Sequence, residues 1–187
     1  MHKIKSVSSF FRFLFQAIFI IYPILLVLFW INAPKSLSPG QHALGIEISF
    51  LPDMIINAEW YKSIHMLTAT NKLLGFLISL IPLAITEFTL YFLIQLFGLY
   101  KQAEIFSLKN VNYIKKIGYT LLIGQLLDPF YQALMTVNLT WHLHPKILAI
   151  GFSGTNIGII LMALLVILIS WIMAEGVKLR EEQQLTI

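Results

Sequence analysis

Four stretches of this chain are almost free of charge. Residues 13–31 form an apolar run of 19 residues in which Gln16 is the one polar interruption. Residues 73–99, 117–137 and 156–174 repeat the pattern. At about 1.5 Å of helical rise per residue each run reaches about 28–40 Å, enough to cross the hydrocarbon core of a bilayer. The pattern predicts an all-α fold: a four-helix transmembrane bundle forming a single integral membrane domain over residues 1–187. Pro23, Pro82 and Pro129 lie inside the runs. Neighbouring helices can satisfy the carbonyls that a proline frees, so these positions predict kinks and not breaks. The first run is longer than a signal-peptide core and no small-residue cleavage pattern follows it. Trp30 closes it as an interfacial aromatic, and it reads as a retained helix.

The segments between the runs carry other periodicities. In the long loop at 32–72, "GIEISFL" at 45–51 sets Ile46, Ile48 and Phe50 against Glu47 and Ser49, a strand pattern. Residues 53–68 read as a short helix capped by Asp53. "KILAIGFSG" at 146–154 is a second β-prone stretch. The two stretches would pair as short strands in a small outer cap. On the opposite side, Ser107 reads as the N-cap of a helix that starts near Leu108 and continues into the third run. Phe106 and Val111 have the spacing of a hydrophobic staple, and Lys115 and Lys116 mark where this helix enters the bilayer.

Composition strengthens this reading. The chain is 58% hydrophobic and 12% charged, with a mean hydropathy of +0.79. Soluble domains carry about 25% charged residues. The absence of cysteine excludes disulfides and thiolate metal sites. The net charge of +4 reads as basic residues flanking spans and meeting lipid head groups, not as a surface for direct nucleic-acid binding. Nine of the 13 Lys and Arg residues fall in the N-terminal segment, the 101–116 loop and the tail after 174. By the positive-inside rule those three segments, and so both termini, are cytoplasmic.

Two carboxyls stand inside the runs. Glu87 and Asp128 each lie about 15–17 Å from the inner end of their helix, near the midplane. A midplane carboxylate costs about 2.5–3.5 kcal/mol on insertion scales. Tyr22, Thr86, Gln125 and the two carboxyls themselves are the available hydrogen-bonding partners. A shared proton would suit a proton relay or cation site, and a polar clamp between helices accounts for the same residues. His142 and His144 form an H-x-H pair that His42 and His65 could extend towards a metal, but the spacing is non-specific and an interfacial loop anchored by Trp141 is the better account, so no metal is expected. Asn138 opens an N-L-T triplet, which matches a glycosylation acceptor by chance. Gly154 and Gly158 form a G-x-x-x-G that permits close helix packing, within the bundle or in a homodimer. No nucleophile elbow, P-loop, H-E-x-x-H motif or intramembrane Ser–His pair is present, so neither an enzyme nor a cofactor is expected.

Two blocks, "AEIFSLKNVNYIKKIGYTLL" and "AEGVKLREEQQLTI", resemble the signature blocks of a bacterial family of four-span membrane proteins, domain of unknown function 2975. Its loop block is similar to G-E-I-F-T/S-x-E-N-V-x-x-L-R-x-I-G. The matching residues are Glu104, Ile105, Phe106, Ser107, Asn110, Val111, Ile117 and Gly118, and in the tail Leu179, Arg180, Glu181, Glu182, Gln183, Leu185, Thr186 and Ile187. Asn112, Ile114 and Lys115 depart from the usual residues. The Lys109-Asn110 pair lacks the family's acidic position, and Glu175-Gly176 is tighter than the usual spacing. The resemblance covers spans two to four and implies a bacterial inner-membrane location. It carries over no catalytic residue, and many members of that family are encoded beside a small helix-turn-helix regulator.

Both blocks fall in segments that the charge count makes cytoplasmic. The sequence therefore leads to two expectations. In the first, a regulatory or scaffold protein holds a cytoplasmic partner, such as that regulator, through Glu104, Phe106, Lys115, Lys116, Leu179, Arg180, Glu181, Glu182, Leu185 and Ile187. In the second, a small proton- or cation-coupled transporter or channel uses Glu87 and Asp128 with Gln125 and Tyr22. The tail is expected to continue the fourth helix, with Lys178 and Glu182 one turn apart.

Overall fold

A computed structural model describes residues 2–32, 51, 67–102, 104, 107–142, 147–151 and 154–185. It holds four long α-helices: α1, His2–Asn32; α2, Ala69–Lys101; α3, Leu108–Leu139; and α4, Gly154–Leu185. No strand occurs among the described residues. Three helices are long and apolar enough to cross a membrane: Lys5–Asn32, Ala69–Lys101 and Gly154–Gln183. The sequence led to four spans, and the helix of the third run is the one that falls short in apolarity. α3 is as long as the others, but Gln125, Asp128, Gln132, Thr136 and Asn138 dilute its apolar surface. Pro23, Pro82 and Pro129 all lie within continuous helices, as expected.

Side-chain caps set the helix starts. The Ser107 hydroxyl accepts the Asn110 N–H at 3.2 Å, which satisfies one of the orphan donors of the first turn and fixes the start of α3 at Leu108. Thr68 does the same for α2. Its hydroxyl accepts the Asn71 N–H at 3.2 Å and donates to the Asn71 side-chain oxygen at 2.7 Å. The helix expected at 53–68 thus does not include Leu67 and Thr68, and the rest of it lies outside the described residues. So does all of the 45–51 stretch except Leu51.

The chain forms two compact units. The first comprises Met1–Ile21, Ala84–Leu126 and Ser153–Ile187. Here α3 and α4 run antiparallel. A Cβ at Gly118 would stand 2.7 Å from Ile167 Cγ1 and 3.2 Å from the Ala163 carbonyl, so the missing side chain is what lets α4 approach. Further along, Asn156 donates its side-chain N–H to Gln125 Oε1 at 2.9 Å. Ala163, Ile167, Ser170 and Val177 form the buried stripe of α4, at three-, four- and seven-residue steps. Ile157, Leu161, Leu165, Leu168 and Ile172 are exposed apolar residues on the remaining faces, the pattern of a helix with lipid around it. Phe11 and Phe15 of α1 stack on Phe97 of α2, with centroids 5.3 and 5.5 Å away, beside Arg12, whose guanidinium lies over Gly98.

The second unit comprises Tyr22–Leu83 and Leu127–Phe152. Its core gathers Leu26, Trp30, Leu51, Leu67, Tyr131, Met135 and Leu139. The Trp30 ring fills the space that a Cβ at Gly75 would need. Its indole N–H donates to Ser79 Oγ at 3.1 Å, and Ser79 in turn donates to the Gly75 carbonyl at 2.8 Å. Asn71 and Asn138 tie α2 to α3 reciprocally: each side-chain amide donates to the other's backbone carbonyl at 3.0 Å. Asn138, the first residue of the N-L-T triplet, is buried by this pairing.

Candidate functional site

The polar residues that make α3 less apolar line up. Asp128, Gln132, Thr136 and Thr140 recur every four residues and so share one face. Gln132 donates from Nε2 to Asp128 Oδ2 at 2.6 Å. The other side of the Gln132 amide, Oε1, accepts the Gly151 N–H at 3.0 Å. The Thr136 hydroxyl donates to the Gln132 carbonyl at 2.6 Å and lies 3.5 Å from the Ala149 carbonyl. The Thr140 hydroxyl accepts the Ile147 N–H at 3.3 Å and lies 3.2 Å from the Ile147 carbonyl. Residues 147–151 are therefore an extended strap laid along a helix, and the strand expected there is not formed. The match is geometric. Four helical residues rise about 6 Å, and two extended residues advance about 6.6 Å. Leu148 and Ile150 alternate outward and are 65% and 54% exposed.

Tyr131 projects from the neighbouring face of α3 and is bonded to the Ser79 hydroxyl, with Tyr22 and Asp128 in its electrostatic neighbourhood. Ser79 gives its own proton to the Gly75 carbonyl, so Tyr131 is the donor in that bond. Tyr22 and Asp128 each act on Tyr131. The Gln125 side-chain oxygen is bonded to Asn156. Glu87 belongs to the first unit and Asp128 to the second. Glu87 Oε1 is buried without a hydrogen-bond partner.

The other candidate surface lies at one end of the first unit. α3 begins at its Ser107 cap, and Tyr100 of α2 donates to Asn110 Oδ1 at 3.3 Å. With Gly118 facing Ala163 and Ile167, and Gln125 facing Asn156, antiparallel register places Leu108 level with about residue 175. α4 continues as helix to Leu185, so its last turns extend past the start of α3. This overhang bears Leu179, Arg180, Glu181 and Glu182, all exposed, and Glu104 is exposed in the preceding loop. Lys178 pairs with Glu175 at 3.4 Å, a contact one turn back and not the one expected with Glu182. Phe106, Ile187 and the Leu185 side chain lie outside the described residues.

Lys115 and Lys116 follow two turns into α3, half-buried and exposed respectively. Lys115 Nζ sits 5.8 Å from the Tyr119 ring centroid, and Lys116 Nζ sits 5.5 and 5.8 Å from those of Phe92 and Tyr113. Both ammonium groups thus lie within cation–π range of aromatic rings. The close approaches of helices also fall where the sequence did not place them. A Cβ at Gly154 or Gly158 would meet nothing within 4 Å, whereas Gly75, Gly118 and Gly124 are each crowded by a facing side chain. His142 is exposed. His42, His65 and His144 lie outside the described residues, and no cluster of metal-binding side chains occurs among those described.

Neither the polar face of α3 nor the strap was anticipated, although the four-residue spacing from Asp128 to Thr140 was visible in the sequence. No curated protein and no solved structure matches the chain. Residues 54–187 match the family described as protein of unknown function (DUF2975), and those residues hold α2, α3, α4, the strap and the overhang; since the match spans well over half its length, the chain belongs to that family.

Proposed function

We propose that this is a bacterial inner-membrane protein with four crossings and both ends in the cytoplasm. In this reading it retains a cytoplasmic protein partner at the bilayer. α3 makes the fourth crossing although it is the least apolar helix. It lies antiparallel along α4, which is apolar enough to span, and a helix docked that way shares the same slab of lipid. Its polar groups are bonded to Asn156, Gly151 and one another, which is what a polar helix needs inside hydrocarbon.

The observation that carries the partner reading is the α4 overhang. A helical end with exposed Leu179 among Arg180, Glu181 and Glu182 extends past the capped start of α3, at the same end as Glu104. An apolar residue framed by both signs of charge is suited to a partner whose orientation is fixed electrostatically. A small helix-turn-helix regulator held there could not reach its target, and release would follow any change that lowers its affinity for this face. Deleting residues 178–187 tests this: the co-purifying partner should vanish from mild-detergent preparations while the truncated protein still inserts. Undiminished recovery of the partner would overturn the proposal.

A second reading, a small proton- or cation-coupled transporter, has one specific observation behind it: the buried Glu87 Oε1 lacks a hydrogen bond. A Glu87→Gln, Asp128→Asn double variant that keeps full ion flux in sealed vesicles at all pH values excludes it.

A further inference from the structure

A groove of about 320 Å³ opens between the last turns of α1 and the first turns of α2, within the second unit. Val27, Trp30, Ile31, Leu73 and Phe76 line it, and Lys72 is the one charged residue on its wall. The volume falls at the lower end of the range for small-ligand sites. Its floor is fixed. Trp30 is 4% exposed, bonded through its indole N–H to Ser79, and seated on Gly75. Its rim is not covered by the helices that form it: Ile31 and Leu73 are 67% and 60% exposed. Among the described residues no carboxylate pairs with the Lys72 ammonium.

We propose that this groove holds one anionic phospholipid, an acyl chain lying against Trp30 and Phe76 and the head-group phosphate on Lys72. The inference rests on the membrane location argued above but not on the partner. Position selects the occupant. Both helices read as spans, and Lys72 stands in the first turn of α2, at the level where a span meets head groups. An apolar slot roofed by one unpaired cation, open to lipid at that level, has the polarity profile of a single anionic lipid. A soluble phosphate would use only Lys72, and a zwitterionic lipid would bring its own cation to the same ammonium. One Lys at a membrane surface is worth about 1 kcal/mol towards an anionic lipid, roughly a five-fold preference.

Native mass spectrometry of the full-length protein, released from nanodiscs of phosphatidylglycerol or of chain-matched phosphatidylcholine, tests this. The expected result is one retained phosphatidylglycerol with about five-fold higher occupancy than phosphatidylcholine. Lys72→Gln should abolish that preference, and Lys101→Gln at the other end of α2 should leave it intact. Val27→Phe, which narrows the slot without touching the charge, should reduce retention of both lipids. Equal occupancy of the two lipids, an unaltered preference in Lys72→Gln, or displacement of the lipid by inorganic phosphate would each overturn the proposal. Because none of these readouts involves the cytoplasmic tail, failure here leaves the partner reading standing, and failure there leaves this one.

Discussion

The Gly151 backbone N–H is held by Gln132 Oε1 at 3.0 Å while the same amide donates to Asp128 at 2.6 Å. One side chain thus ties the strap to α3 and gives the Asp128 carboxyl a neutral partner. Backbone outside a helix carries N–H and C=O groups that hydrocarbon cannot satisfy, so such a strap exists at membrane depth only where protein supplies the bonds.

Gln132→Leu removes both bonds at once. It leaves one backbone donor and one carboxyl oxygen with a partner fewer, and the expected loss is about 1–3 kcal/mol. Leu148 lies on the outward side of the strap, 65% exposed, so Leu148→Ala should cost well under half as much. Thermal unfolding in mild detergent, followed by circular dichroism, compares the two. Equal midpoints would mean that the strap is not held by the α3 ladder.

Gly118→Ala and Gly158→Ala separate two glycines that look alike in sequence. At Gly118 the new methyl meets Ile167 Cγ1 at 2.7 Å and a backbone carbonyl that cannot rotate away. Overpacking of this kind costs about 1–3 kcal/mol. At Gly158 the space is open within the chain and alanine is the better helix former by about 0.8–1 kcal/mol. The midpoints should therefore move in opposite directions. A fall of similar size in both would point to a contact at Gly158 outside the chain, as the G-x-x-x-G spacing suggested.

Much of the helical framework was readable from residue pattern, because lipid imposes a simple requirement of length and apolarity. Ser107 as the cap of a helix beginning at Leu108, and the tail as a continuation of the fourth helix, both follow from local rules. The strap did not follow. "KILAIGFSG" alternates like a strand because extended chain alternates whatever it is bonded to, and local sequence does not say whether the partner is another strand or a polar helix face. The same limit applies to the carboxyls. Depth along a helix was computable for Glu87 and Asp128, but the identity of their neighbours depends on rotation, which placed Gln125 against Asn156 and gave Gln132 to Asp128. Lys178 could reach either Glu175 or Glu182 by spacing alone, and it is bonded to Glu175.

Ser107→Ala should expose how far the start of α3 depends on its cap. The hydroxyl that accepts the Asn110 N–H is lost, and cap removal costs about 0.5–2 kcal/mol. Ser107→Asp retains an acceptor and places a negative charge at the helix N-terminus, so it should restore stability. Urea-dependent unfolding in detergent measures both, and a Ser107→Asp variant no better than Ser107→Ala would show that the cap is not what fixes this end.

The crossing of α3 decides the topology. The chain lacks cysteine, so single cysteines report sidedness without background. Leu108 and Trp141 flank α3 at opposite ends and are 46% and 55% exposed. With α3 as the fourth crossing, Leu108→Cys reacts with a membrane-impermeant maleimide only in inverted vesicles. Trp141→Cys then reacts only in right-side-out spheroplasts, and Leu179→Cys follows Leu108→Cys. If Leu108→Cys and Trp141→Cys react from the same side, only the three apolar helices cross. The overhang of α4 would then lie on the opposite face from the N-terminal segment. Because α3 lies along α4 at Gly118 and at Gln125, that outcome also requires these contacts to be absent in the bilayer, and the Gly118→Ala variant would then unfold no more readily than the parent protein.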